Sequence, residues 1–366
     1  MTSDFLDITP PAWAGPESIP LADIQQKIFT RPKDIVVVAG SVVEGMGSFL
    51  SDIDVCVLTE AKPTLGDVKD RGHFLVSLSG TMGNWAERLR FGSEMHGADD
   101  VSAAVNNTYD FVDMNGTRCD VEYLLRSDIE VTLEKIERGF RHAGTRYGWI
   151  AEPASLESLR YVHRLYTGIC LANDDSLGKL LSGDYREKLA YLLFRGSCFV
   201  YRDFQDILGS TLSSNVSQAV LLIRSYLWMH LKALTHLYGN SNPTNKWAAV
   251  YGDRIFGSDS EVMRRFSELF QGTKVTKANL RSYITSCLDF GDFISQMCIE
   301  KMDSVAIAYS SETMVGLMRR RIKDAGFKDP HLLMSLEFHS KMFNRKSLPS
   351  RDFLEMKEGL TRCTFV

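Results

Sequence analysis

Val36-Val-Val-Ala-Gly40-Ser41-Val-Val-Glu-Gly45-Met-Gly-Ser-Phe-Leu-Ser51-Asp52-Ile53-Asp54-Val55-Cys56-Val57 is the stretch on which the fold turns. It opens inside a β-branched run, Ile35–Ala39, of the kind a buried strand uses. A Gly-Ser step follows, then a short glycine-bearing turn or helix, then Ser-Asp-Ile-Asp entering a second apolar run, Ile53–Thr59. Strand alternation puts Asp52 and Asp54 on one face, about 6.5–7 Å apart along the chain. Ile53, Val55 and Val57 take the other face and can pack on a core. Two carboxylates so placed repel each other unless a cation sits between them, and Mg²⁺ takes oxygen ligands, often one or two carboxylates with substrate phosphates. Upstream, Gly40 lets the backbone approach a phosphate. Ser41 supplies a hydroxyl at a helix N-terminus, where free N–H groups favour an anion. The residues by themselves indicate a phosphate cradle beside a metal-binding carboxylate pair. The plain alternatives are a helix N-cap for Ser41 and strand-edge solubilising roles for the aspartates.

Outward from this stretch the chain shows two regimes. Up to about Arg126 it reads as mixed strands and helices. His73–Leu78 is a weak strand, and Thr108–Met114 and Arg118–Leu125 flank Asn115-Gly116, a two-residue hairpin signal. Ser127-Asp-Ile-Glu130 has the form of a capping box opening a helix. Beyond about residue 150 the strands are expected to stop. Pro153–Leu171, Asp184–Leu208, Ser217–Tyr238, Leu280–Tyr309, Glu312–Ala325 and Pro330–Phe343 carry apolar residues at helical spacing. The expected fold is an α/β portion of about 145 residues followed by a helical domain.

The full chain has 366 residues, long enough for two packed units, and 24% charged residues, an ordinary globular content. The formal net charge of −4 argues against bulk nucleic-acid binding. Residues 1–150 carry a net −9, residues 151–313 balance, and residues 314–366 carry +5. The seven cysteines form no CxxC pair and are odd in number, which fits a reduced, cytoplasmic protein. The N-terminus lacks the pattern of a signal peptide. Val220–Leu237 is apolar but contains Arg224, His230 and Lys232, so it reads as a core helix and no membrane partner is expected. Other nucleotide motifs fail: Met46 and Gly47 stand where a P-loop has Lys and Ser/Thr, and the dinucleotide fingerprint lacks its last glycine. There is no HExxH and no GxSxG.

The order Gly40-Ser41, three residues, Gly45, five residues, Ser51-Asp52-Ile53-Asp54 resembles the signature of the DNA polymerase β-like nucleotidyltransferase superfamily. The resemblance implies an α+β fold: a nucleotidyltransferase-fold mixed sheet with helices over 1–145, then an all-α substrate-binding domain with a basic tail over 146–366. It implies that Gly40, Ser41 and Ser51 hold the triphosphate of an NTP. Asp52 and Asp54 would bind two Mg²⁺ ions with a third carboxylate from a neighbouring strand. Asp120 is the choice for that third ligand. Glu122 shares its face, opposite Val121 and Tyr123, and is the fallback. In the family the third carboxylate also serves as, or sits close to, the general base. Asp52, Asp54 and Asp120 are therefore the expected catalytic and metal residues, in two-metal in-line displacement. The implied reaction moves an NMP from NTP to a hydroxyl of a small-molecule acceptor and releases pyrophosphate. ATP is the default donor, on abundance alone.

In the helical half, Gly239-Asn-Ser-Asn-Pro-Thr-Asn245-Lys246-Trp247 runs from a loop into a helix. Its Lys-Trp step is loosely similar to antibiotic nucleotidyltransferases, which makes Lys246 a candidate for the β- and γ-phosphates, or else a solvated lysine beside a packing tryptophan. Arg224 and Lys232 face a cleft or form a buried ion pair. Met314–Lys323, with Arg319, Arg320 and Arg321, is a basic amphipathic stretch, a solvated helix face or a partner surface. Three other functions remain: a synthase of cyclic or linear oligonucleotide signals, modification of a protein or an RNA end, and a binding module that has lost catalysis. Acceptor, base preference and oligomeric state are not readable from the residues.

Overall fold

The computed structural model of the chain describes residues 7–8, 19–47, 51–63, 67, 74–78, 107–114, 117–143, 153–197, 202–272, 274–304, 324 and 326. It is α+β. A short antiparallel pair, β1 (Asp7–Ile8) and β2 (Ile19–Pro20), precedes helix α1 (Leu21–Lys27). The central sheet has six strands: β3 (Ile35–Ala39), β4 (Ile53–Thr59), β5 (Phe74–Leu78), β6 (Asn107–Met114), β7 (Thr117–Leu125) and β8 (Ile169–Ala172). They lie in the order β5-β6-β7-β4-β3-β8. All neighbours are antiparallel except β4 and β7, which are parallel.

Alternation along the strands divides the sheet into two faces, as expected from the sequence. Val36 and Val38, Ile53, Val55 and Val57, and Cys119, Val121 and Tyr123 join Ile24 of α1 and Ile28 just after it in one buried cluster. The opposite face carries Asp54, Cys56, Asp120 and Glu122. Met114 pairs with Thr117, the register of a two-residue hairpin; Asn115 and Gly116 themselves lie outside the described residues. Helix α2 (Gly40–Val43) is one turn between β3 and β4. Helix α3 (Arg126–Ala143) starts directly after β7, so Ser127 sits inside the first turn, and Glu130 pairs with Arg126 at 3.0 Å.

Two compact units divide the chain: Met1–Glu134 with Glu157–Tyr185, and Lys135–Leu156 with Arg186–Val366. The sheet unit thus takes back a segment that the sequence reading placed in the helical half. Helix α4 (Leu156–Thr167) ends at Gly168, whose N–H donates to the Arg164 carbonyl at 2.8 Å. A Cβ at Gly168 would run into Val37 and the Val38 carbonyl, so only glycine lets the chain pass this close to β3. Ile169–Ala172 then pairs with β3 as a strand, where helical periodicity had predicted a continuous helix to Leu171. Asn173, at φ 59°, ends the strand and donates from Nδ2 to the carbonyls of Pro32 and Asp34, and helix α5 (Asp174–Leu180) follows.

The second unit is helical: α6 (Tyr185–Ser197), α7 (Arg202–Leu212), α8 (Val216–Leu237), α9 (Ala248–Phe256), α10 (Glu261–Ser267) and α11 (Leu280–Ser304). The predicted helices over 312–325 and 330–343, and the basic stretch 314–323, lie outside the described residues. Ile223, Tyr226, Leu227, Leu231 and Leu234 of α8 are buried, as are Ile284, Cys287, Leu288 and Phe290 of α11. Gly291 is where the Tyr226 hydroxyl seats, because a Cβ there would overlap it. Lys232 is held by neutral oxygens. Its ammonium donates to the Pro243 carbonyl at 3.2 Å and to Asn245 Oδ1 at 2.5 Å, which pins the buried loop Asn240–Asn242 with its own Asn-to-backbone bonds. Burial pushes His230 down to about 4 while its Nδ1 lies 2.8 Å from the Tyr226 carbonyl. Among the described residues no helix is long and apolar enough to cross a membrane. The described cysteines are free thiols.

Candidate active site

The site is built by register. Ala39 at the end of β3 stands opposite Asp54, and Asp54 stands beside Asp120 across the parallel β4–β7 pair. Neighbouring strands lie about 4.8 Å apart, so a carboxylate from each meets its counterpart at one end of the sheet. Asp52 precedes β4 on the same face. Gly40 closes this end from the β3 side at φ +83°, a conformation that favours glycine. A Cβ on Gly40 would fall into the Asp54 carboxylate, nearest Oδ2. Both the backbone angle and the lack of a side chain are therefore required there.

Two arginines neutralise the acidic groups, in different ways. Arg164 of α4 is a buried fork: Nη2 donates to Asp54 Oδ1 at 2.7 Å and Nη1 to Glu122 Oε2 at 3.0 Å. Arg160, one turn earlier on α4, lies 3.6 Å from Glu122 Oε1. Arg118 reaches in from the exposed side. Its Nη2 donates to Asp52 Oδ2 at 2.5 Å and to Asp120 Oδ2 at 2.9 Å, and its Nε lies 2.6 Å from Asp120 Oδ1. A second buried pair, His163 Nε2 with Glu44 Oε1 at 3.3 Å, ties α4 to the turn after α2.

Burial pushes the Asp54 carboxyl up to about 6; Arg164 opposes this, and the charges of Glu122 and Asp52 add to it. Asp120 is pushed up to about 7, first by burial, against the pull of Arg118 and with the help of Asp52. Burial also acts upward on Asp52, but hydrogen bonds from Arg118 and Asp120 hold it below the usual carboxylate range. Cys56, wholly buried behind Asp54, is pushed up to about 12 and is an inert packing thiol.

The structure brings Gly40, Asp52, Asp54 and Asp120 together, with Ser41 in α2 and Ser51 next to Asp52 in the chain. It separates Asp120 from Glu122: Glu122 is 5% exposed and held by two arginines, whereas Asp120 is aligned with Asp54. Lys246 lies in the helical unit, exposed, its ammonium 4.7 Å from the Trp247 ring centroid. Arg118, Arg160, His163 and Arg164 were missed by the sequence reading. The signals were present: Arg118 shares the strand face of Asp120, and Arg160 and Arg164 are spaced i,i+4 on an amphipathic helix.

Among the described residues no three His, Cys, Asp or Glu side chains stand in metal-holding geometry, and guanidinium groups pair with the carboxylates instead. The donor set is nevertheless that of a hard divalent cation: oxygen only, three aspartates from two neighbouring strands. Asp120 Oδ1 is buried yet accepts no hydrogen bond, lying near Arg118 Nε but off its N–H direction. That oxygen fits a cation; the space on the side-chain-free face of Gly40 is taken by the Asp54 carboxylate. No protein-family model and no curated protein sequence matches the chain.

Proposed function

We propose that the chain is a Mg²⁺-dependent nucleotidyltransferase of the DNA polymerase β-like kind, moving an NMP, by default AMP, from NTP to a hydroxyl of a small-molecule acceptor. The carrying observation is the registered acidic set: Asp54 aligned with Asp120 across parallel strands, Asp52 just before β4, and Gly40 closed over Asp54. Asp52, Asp54 and Asp120 would hold two Mg²⁺ ions, which supply charge neutralisation on the phosphates and acidify the attacking hydroxyl. Gly40 packs against the Asp54 carboxylate, and the hydroxyls of Ser41 and Ser51, next to Gly40 and Asp52 in the chain, would be the triphosphate contacts. Arg164 holds Asp54 by Oδ1 and leaves Oδ2 turned to Gly40. The acceptor oxygen forms the new bond to the α-phosphorus as the bond to the β-phosphate oxygen breaks. Pyrophosphate leaves, and the hydroxyl proton passes to a carboxylate. Asp120, the third carboxylate of the set, is the candidate to take it.

The test is incubation with Mg²⁺, α-labelled NTPs and a panel of hydroxylated small molecules. Labelled adduct and pyrophosphate are expected from the wild-type protein and neither from Asp54→Ala. Absence of both products with every donor and acceptor, or undiminished turnover in Asp52→Ala and Asp54→Ala, overturns the reading. Label in oligonucleotides formed from NTP alone, or on protein or RNA, would redirect it to the corresponding acceptor.

A further inference from the structure

We propose that Arg118 is a resident counter-ion of the candidate cation site: it holds Asp52 and Asp120 together while no divalent cation is bound, and an entering cation displaces it. The inference rests on the metal-dependent reading of the site. It concerns a residue that no motif marks.

The two arginines of the site divide by exposure and by role. Arg164 comes from a helix packed on the sheet, and its side chain is 11% exposed between Asp54 and Glu122. It cannot leave without abandoning two buried carboxylates, which is prohibitive in a low-dielectric interior. Arg118 comes from the same strand as Asp120, and its side chain is 61% exposed. It can swing into water without moving any backbone, and water solvates the released guanidinium. What it leaves behind is the Asp52–Asp120 pair, whose charge an entering cation would neutralise in its place.

Competition follows from which oxygens are used. Arg118 occupies Asp52 Oδ2 and both oxygens of Asp120, the atoms that a cation at this place would ligate. The fit is imperfect. The planar guanidinium demands that acceptors lie along its N–H directions. Asp120 Oδ1, 2.6 Å from Nε, receives no hydrogen bond from it. A spherical divalent ion has no such directional donors, so it can use the oxygen that the guanidinium leaves unsatisfied. It also brings two charges where Arg118 brings one. Arg118 thus keeps the empty site from being held apart by repulsion and yields when the better ligand arrives, its five donors then free at the rim.

The exposed position sets the size of the effect: ion pairs of this kind contribute little, so removing Arg118 should tighten divalent binding roughly two- to tenfold. The probe is Mn²⁺ alone, without nucleotide, titrated against the full-length wild type, Arg118→Ala and Arg118→Lys and read by the electron paramagnetic resonance of free Mn²⁺. Arg118→Ala should bind more tightly than wild type, with Arg118→Lys between them. On the unmutated protein, phenylglyoxal modification of Arg118, read by mass spectrometry, should be faster with Mn²⁺ than with chelator, while Arg164 stays protected in both. Equal or weaker Mn²⁺ binding by Arg118→Ala overturns the proposal, as does an Arg118 reactivity that metal does not raise. If wild type binds Mn²⁺ and Arg118→Ala merely matches it, only the counter-ion role falls. If none of the three proteins binds Mn²⁺, the metal-dependent function falls with it.

Discussion

Gly40 carries two demands at once. Its φ of +83° is open to glycine, and the Asp54 carboxylate occupies the space where a Cβ would stand. Gly40→Ala is expected to destabilise the protein by about 1–3 kcal/mol through backbone strain, and to displace Asp54 as well. Urea unfolding measures the first effect and nucleotidyl transfer the second; a variant with wild-type values in both would contradict the geometry. The raised carboxyls make a second prediction. Asp54 and Asp120 titrate in the folded protein at about 6 and about 7, above the ~3.9 of an unfolded aspartate. The folded state therefore binds more protons than the unfolded state between those values. The metal-free protein gains stability from these two groups as pH falls through 7 toward 4, and loses it as pH rises. Asp120→Asn removes the titration of one. In chelator, the urea midpoint of Asp120→Asn relative to wild type should climb as pH goes from 5.5 to 8. A pH-independent difference would contradict the assignment.

Among the elements, α4 decides most. One of its faces presents Arg160, His163 and Arg164 to Glu122, Glu44 and Asp54, and its end at Gly168 releases the chain into β8. Arg164→Met leaves two buried carboxylates without their shared cation, and should lose about 3–5 kcal/mol of unfolding free energy. Arg160→Gln touches a longer, more exposed pair and should lose at most about 1 kcal/mol. Equilibrium urea unfolding of both variants checks the contrast, and equal losses would mean that Arg164 is no clamp. On β7 the parallel register sets Asp120 beside Asp54 and Glu122 beside Cys56, while Arg164 links Glu122 to Asp54.

For the molecule as a whole, a net −4 chain with −9 in its first 150 residues holds part of that charge in the cluster of Asp52, Asp54, Asp120 and Glu122, the proposed place of divalent cations. Ligand that binds only the folded state raises its stability, by about 1.4 kcal/mol at ten times Kd. Mg²⁺ should therefore raise the thermal midpoint of the wild-type protein, chelator should reverse the rise, and Asp52→Ala and Asp54→Ala should abolish it. A rise that survives in both variants would place the cation elsewhere. The helical unit has its own buried core around α8 and α11, and the loop after α8 is tied down by Lys232.

How much of this could be read in advance follows from range. Strands β3 and β4, the shared face of Asp52 and Asp54, the hairpin leading into β7 and the helical second half were legible because strand alternation, hairpin spacing and helical periodicity act over a few residues. The end of α4 was not, because Gly168 and Asn173 act through contacts with β3 and with Pro32 and Asp34, far away in the chain. Nor were the partners of Asp120 and Glu122, which share a face and differ in which residue of β4 they pair with, Asp54 or Cys56. The arginines Arg118 and Arg164 are likewise ordinary surface and helix residues until pairing brings carboxylates to them. The sequence by itself determined which side chains could do the chemistry. Only the tertiary structure decided which of them meet, because register and helix docking place residues together across separations that no local pattern spans.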